Sequence, residues 1–222
     1  MIRVVDDVVA EATMMLVVHA QIGSRIALSG GSTPKAVYRA AAARLDDWSH
    51  AVLWFGDDRA VGPDDEHSNY RMVREALLDH VEEPRVERIR GELGARAAAL
   101  DYATRWTAAG HRLDLAFMGL GPDAHTASLF PGKPEALTSD RPVVAVPEAG
   151  MDPRVARVSM TLAVFNDARR VVFLVTGADK ATAMRRAFGE RPDPASPAAH
   201  VRPVHGELLV LCDAAAAAEL GL

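Results

Sequence analysis

The sequence predicts an α/β fold: a layered, mostly parallel sheet with helices on both faces. Three observations predict it. Short, nearly continuous apolar runs recur along the chain, which marks strands covered on both sides. Helically patterned segments separate them, and that alternation builds a parallel sheet. Several of the apolar runs end in glycines or polar residues, at the strand ends where sheets of this kind bind ligands.

The strands are read at 25–29 (RIALS), 51–56 (AVLWFG), 113–119 (LDLAFMG), 170–177 (RVVFLVTG) and 207–212 (ELLVLC), with a weaker one at 142–147 (PVVAVP). Helices are expected near 7–21, 34–45, 68–80, 93–109, 178–188 and 213–220. In TPKAVYRAAAARL, Thr33 reads as the N-cap and Pro34 as the first helical residue, since proline has no amide to lose there. Residues 189–203 are rich in proline and too short to link domains, so they read as a surface loop. The simplest organisation is one domain over 1–222.

Composition excludes several classes. A chain of 222 residues, 49% hydrophobic, can bury a sizeable core. A net charge of −5 leaves no basic footprint for nucleic acid. The single cysteine, Cys212, lies in an apolar run. It reads as a buried structural thiol and rules out a disulfide framework within the chain. Acidic residues interrupt the N-terminal segment, unlike a signal peptide, and no apolar stretch reaches the ~18 residues of a membrane span. A soluble, cytoplasmic protein is expected; nothing in the pattern specifies an oligomer.

Four strand ends carry chemistry. In LSGGSTPK, Gly30 and Gly31 allow a tight turn and close approach of a ligand, and Ser32 and Thr33 add hydroxyls at a helix start. Unpaired amides and the helix dipole favour an anion there. The stretch reads either as a phosphate cradle or as an ordinary glycine turn. It matches neither the P-loop nor the dinucleotide motif. After the second strand, Asp57, Asp58 and Arg59 form either a solvated charge run or a site in which Arg59 grips phosphate. Asp64, Asp65 and Glu66 read as surface, and Ser68 and Asn69 as caps of the next helix.

The third strand runs into GLGPDAHTASLFPG. Gly119 and Gly121 permit a tight loop, and Asp123 lies close enough to fix the tautomer of His125 and raise its basicity. A histidine so held suits a general base at neutral pH. Thr126 and Ser128 are expected to open a short helix. His19, His50, His67, His80, His111 and His200 lack such a setting; His205, beside Gly206, stays open. At the fourth strand end, Lys180 sits in the first helical turn, where a cation opposes the dipole unless an anion joins it. It reads as a phosphate ligand or as a surface lysine, and Arg157 is a weaker candidate of the same kind. Too few ligands surround His125 and Asp123 for zinc, and no nucleophile elbow is present.

Taken in order, LSGGSTPKAVY, GDDRAVGPDDEHSNYR, GLGPDAHTASLFPG, RVSMTLAVFNDARRVVFLVTGADK and PVHGELLVLCDAAAA resemble the 6-phosphogluconolactonase family over about 28–217. The resemblance implies a modified Rossmann-like fold. It implies hydrolysis of 6-phospho-D-glucono-1,5-lactone to 6-phosphogluconate, in the pentose phosphate pathway, with no metal or organic cofactor. It implies His125 as the base activating water and Asp123 as its orienter. Gly30, Gly31, Ser32 and Thr33 would surround the phosphate, with Arg59, Lys180 and Arg157 binding the substrate. Two departures stand out: Ala124 where the family usually has glycine, and Asp58 where glutamate is common. A positive φ at Ala124 would cost roughly 1 kcal/mol or more.

Two other functions share part of this pattern. A glucosamine-6-phosphate deaminase uses a similar glycine–aspartate–histidine loop, but typically continues toward IAFNEP and carries DEY where this chain has DDR. A non-catalytic sugar-phosphate sensor would need an attached DNA-binding segment, for which a first strand near residue 25 leaves no room.

Overall fold

A computed structural model describes residues 1–82, 85–110, 112–138 and 140–221; His111 lies outside them. Among the described residues, ten strands and six α-helices follow in order: β1 (Ile2–Val4), α1 (Val8–Gln21), β2 (Arg25–Leu28), α2 (Ser32–Ala42), β3 (Val52–Phe55), β4 (Asp57–Arg59), α3 (Asn69–Ala76), β5 (Arg85–Glu87), α4 (Ala95–Ala108), β6 (Leu115–Met118), β7 (Val143–Val146), β8 (Arg157–Met160), α5 (Leu162–Asp167), β9 (Arg170–Val175), α6 (Ala181–Phe188) and β10 (Glu207–Cys212).

Seven strands form one sheet in the order β1-β10-β9-β6-β2-β3-β5, and every neighbouring pair is parallel. From β2 the chain winds outward through β3 to β5. It then returns to the other side of β2 and winds through β6 to β9 and β10. The direction of winding reverses between β2 and β6, so the loops leaving these two strands diverge and open a crevice. The four central strands β2, β3, β6 and β9 are almost wholly buried, as their unbroken apolar runs predict.

A second sheet, β4-β8-β7, is antiparallel. Only Gly56 separates β3 from β4. Its amide donates to Leu28 of the first sheet (2.9 Å) and its carbonyl accepts from Met160 of the second (2.8 Å), so this residue hands the chain from one sheet to the other. The small sheet was not foreseen as a unit. The residues of β4 are Asp-Asp-Arg, with no apolar periodicity to mark a strand, and only β7 was read from the sequence. The edge strands β1 and β5 are three residues long and equally silent; the first strand therefore lies at residue 2, not near 25.

Other expectations are corrected locally. Residues 213–220 form irregular turns. Their amides bond back to carbonyls three or four residues earlier, and a segment this short gains little from helix propagation. The predicted helix 68–80 stops at Ala76 and continues as a 3₁₀ turn over Leu78–His80. Helix α2 begins at Ser32, with Gly31 at the cap position; Thr33 does not cap it. Ser68 does cap α3, accepting from the amide of Arg71. Cys212 is buried and free, as expected.

Two buried tyrosines secure the carboxyl ends of the central strands. Tyr38 of α2 donates its hydroxyl to the carbonyl of Ser29 and accepts from the amide of the same residue, both at 2.9 Å. Tyr102 of α4 does the same for Phe55, accepting at 2.8 Å and donating at 3.0 Å. Burial pushes both phenols well above their ordinary range. Each hydroxyl therefore serves as a neutral bridge for backbone groups at a strand end. Tyr102→Phe strands an amide and a carbonyl in the core. We expect a loss of about 1–3 kcal/mol of stability, read from urea unfolding; an unchanged midpoint would mean the Phe55 groups find other partners.

Candidate active site

A cleft of about 410 Å³ opens over the carboxyl ends of the central strands, a size suited to a small metabolite. Several segments line it. They include the loop after β2, strands β4 and β8, the start of α3, the β7–β8 loop, the loop after β6 and the loop after β9. Gly30, Gly31, Ser32, Thr33, Arg59, His125, Arg157 and Lys180 all reach this one cleft. Asp123 stands directly behind His125. The residues read from the sequence thus converge. Its lining also includes Asp57, from the stretch that reads as a charge run or a site, and Asn69 and Thr176, which sequence reasoning does not assign to a site.

The loop after β6 holds the histidine. Nδ1 of His125 lies 2.5 Å from Oδ1 of Asp123, and the same oxygen accepts the His125 amide at 3.1 Å. A carboxylate accepts only, so Nδ1 carries a proton, and in the neutral ring Nε2 is the nitrogen with the lone pair. Burial works against ionising Asp123, but the two bonds from His125 outweigh it and hold the carboxyl below its ordinary range. The imidazole packs on Phe130, with ring centres 4.6 Å apart, and lies against Gly121. A Cβ on Gly121 would overlap the ring, so close approach explains this glycine.

Two alanines of the loop are left-handed: Ala124 has φ 65° and Ala127 φ 49°. The position where the family usually has glycine therefore does need a positive φ, at roughly 1–2 kcal/mol for an L-residue. The carbonyl of Ala124 is held from outside the loop, by the hydroxyl of Ser196 at 3.1 Å and the amide of Ala198 at 3.3 Å. The proline-rich segment 189–203 is thus a loop, as expected, but a partly buried one that braces this conformation. Thr126 and Ser128 do not open a helix. The Ser128 hydroxyl donates to Oδ2 of Asp57 at 2.5 Å and its amide to Oγ of Ser159 at 3.3 Å, which ties the loop to the small sheet.

That sheet supplies the cations. Arg59 and Arg157 sit opposite each other in the β4–β8 ladder, an arrangement that like charges make unfavourable. Arg157 is buried; its Nη2 donates to the carbonyl of Pro153 at 3.1 Å, and its guanidinium lies over the Phe130 ring, 5.6 Å from its centre. Burial and then Arg59 pull its pKa below the ordinary value. Nε of each arginine is buried without a hydrogen-bond partner. An anion in the cleft would relieve the repulsion and bring the acceptors that these donors lack.

The remaining edge is built from hydroxyls and amides. Thr33 Oγ1 and Thr176 Oγ1 are 2.8 Å apart, linking the loop after β2 to the loop after β9. Lys180 lies where α6 begins, 3.6 Å from Asp179. His205 lines a separate groove with Leu137 and His200, away from this chemistry. Among the described residues, no group of three or more histidine, cysteine, aspartate and glutamate side chains is arranged to hold a metal.

A cleft that sets an Asp–His couple beside two facing arginines at the turning point of a parallel sheet defines the class: a site suited to a small anionic metabolite. A profile of the family described as glucosamine-6-phosphate isomerases/6-phosphogluconolactonase matches residues 1–210, and the chain belongs to that family. It is similar to the 6-phosphogluconolactonase of Synechocystis sp., at 39% identity over 85% of this chain and 81% of that protein. It is also similar to the 6-phosphogluconolactonase of Homo sapiens, at 36% identity over 88% of this chain and 77% of that one. Among solved structures, the 6-phosphogluconolactonase from Trypanosoma cruzi superposes with a TM-score of 0.89, at 26% identity, over 100% of this chain and 97% of that one.

Asp58 points away from the cleft and organises what lies behind it. It accepts from the amides of Arg59 (2.7 Å), Asn69 (2.6 Å) and Tyr70 (3.0 Å) and from the hydroxyl of Ser68 (3.2 Å). Burial pushes its carboxyl from 3.8 up to about 6 against the pull of these donors. The folded chain then holds this proton more tightly than the unfolded chain. The group's contribution to stability is fully present below 3.8 and is lost as pH rises through about 6. Asp58→Asn should therefore flatten the pH dependence of unfolding free energy between pH 4 and about 6.5. An unchanged slope in urea titrations across that range would assign the proton to another group.

Proposed function

We propose that this chain hydrolyses 6-phospho-D-glucono-1,5-lactone to 6-phosphogluconate, the lactone-opening step of the oxidative pentose phosphate pathway. It acts as one catalytic domain, in the cytoplasm, without a metal or organic cofactor. The observation that carries the reading is the Asp123–His125 couple facing the same cleft as Arg59, Arg157 and the glycine loop. The family's named relatives are consistent with it. No helix among the described residues is long and apolar enough to cross a membrane.

The phosphate lies among Arg59, Arg157, Lys180, the hydroxyls of Ser32 and Thr33 and the backbone of Gly30 and Gly31. These contacts act away from the reacting bond and place the lactone carbonyl at His125. Nε2 of His125 takes a proton from water as its oxygen attacks C1. Charge grows on the carbonyl oxygen. It returns as the C1–ring oxygen bond breaks, and the ring oxygen takes the proton back from His125. Asp123 keeps the ring in the required tautomer and stabilises it while it is protonated. The single product carries a free hydroxyl where the ring oxygen was and, at C1, a carboxylic acid that ionises at neutral pH.

The test is the opening of freshly generated 6-phosphogluconolactone at neutral pH, measured against its spontaneous hydrolysis. His125→Ala is expected to lower kcat by about 10²–10⁴-fold. Arg59→Ala is expected chiefly to raise KM. Full turnover by His125→Ala would remove the histidine from the mechanism, and no acceleration by the wild type would remove the activity itself.

A further inference from the structure

Asn69 is a cleft residue whose side chain the reaction does not use. It opens helix α3, is only 4% exposed, and its amide is committed at both ends. Nδ2 donates to the carbonyl of Asp57 at 3.0 Å, which fixes which way the amide faces. Oδ1 accepts from Nη1 of Arg59. The backbone amide of Asn69 is itself anchored on Asp58, so the side chain stands on a fixed base.

The same amide lies against Gly30. A Cβ on Gly30 would overlap Oδ1, Cγ and Nδ2 of Asn69, and Gly30 carries no left-handed φ to explain it otherwise. One neutral side chain therefore touches both the glycine loop after β2 and the cation of β4. Its neutrality matters. Aspartate has nearly the same shape, but at this position it would form a permanent ion pair with Arg59 and spend on the protein the charge that the anion needs.

From this geometry we infer that Asn69 is a positioning residue for the phosphate site. It orients the Arg59 guanidinium without neutralising it, and it is the reason position 30 must be glycine. The inference rests on the phosphosugar reading above.

The experiment compares wild type with Asn69→Asp, Asn69→Ala and Asn69→Ser. It records kcat and KM for 6-phosphogluconolactone, and the dissociation constant of inorganic phosphate by calorimetry. Asn69→Asp should raise KM and the phosphate dissociation constant together, by about tenfold or more, while kcat changes no more than about threefold. Serine and alanine should weaken phosphate less than aspartate, because they leave Arg59 charged. Gly30→Ala should be less damaging in the Asn69→Ala background than in wild type, since the overlap is gone. Merely structural damage would lower kcat and the unfolding midpoint and would not rank aspartate below alanine.

Unchanged phosphate binding in Asn69→Asp, or a loss confined to kcat, overturns the inference. Additive effects of Gly30→Ala and Asn69→Ala overturn its second half. A wild type that neither opens the lactone nor binds phosphate fails the phosphosugar reading first, and this inference with it. A wild type that opens the lactone but binds phosphate no better than Asn69→Asp fails this inference alone.

Discussion

The reversal of winding between β2 and β6 leaves a gap over the middle of the sheet, and the rest of the site depends on it. Parallel strands that wind in one direction hand each loop to the next helix and close over themselves. Here the loops after β2 and β6 part company, and the exposed strand ends must be satisfied by other means. Tyr38 and Tyr102 supply backbone partners from helices α2 and α4. The gap can then hold polar groups without leaving the sheet's carboxyl ends unpaired.

The small antiparallel sheet answers a different demand. Two guanidiniums have to be held side by side near the cleft, where burial and mutual repulsion oppose them. A strand ladder can impose that spacing because its register is set elsewhere, by Gly56 joining both sheets and by Val158 and Met160 in the core. Negative charge is kept close but occupied. Asp57 is bonded to Ser128, and Asp58 to the start of α3, so neither closes directly onto the arginines as a salt bridge. The arrangement is electrostatically incomplete without an anion, as a binding site should be.

Support for the loop after β6 likewise comes from outside it. Ala124 and Ala127 adopt backbone conformations that alanine disfavours, and the bonds from Ser196, Ala198, Asp57 and Ser159 hold the loop in place. Strain of this kind persists where the surroundings over-determine the conformation. His125 is thereby presented with one nitrogen already engaged and the other free.

How much of this the sequence disclosed follows the range of the interactions. The buried strands were legible because burial on both faces leaves a local apolar run. The Asp123–His125 couple is legible because its members are two residues apart, and the Gly30–Thr33 loop because its glycines and hydroxyls follow one another at a strand end; the family resemblance then joins them to Arg59, Arg157 and Lys180. Strand β4 was not, because three polar residues become a strand only when β8 is beside them. Thr33 reads as a cap because the sequence cannot display Thr176, 143 residues on. Ser128 reads as a helix start because Asp57 is 71 residues away. Asn69 was read as a cap because its other partners, Arg59 and Gly30, lie on other segments. The sequence by itself determined which chemical groups stand at strand ends. Only the tertiary structure decided which of them meet, because hydrogen bonds, like-charge repulsion and the overlap of a missing Cβ act over a few ångströms of space, whatever the distance along the chain.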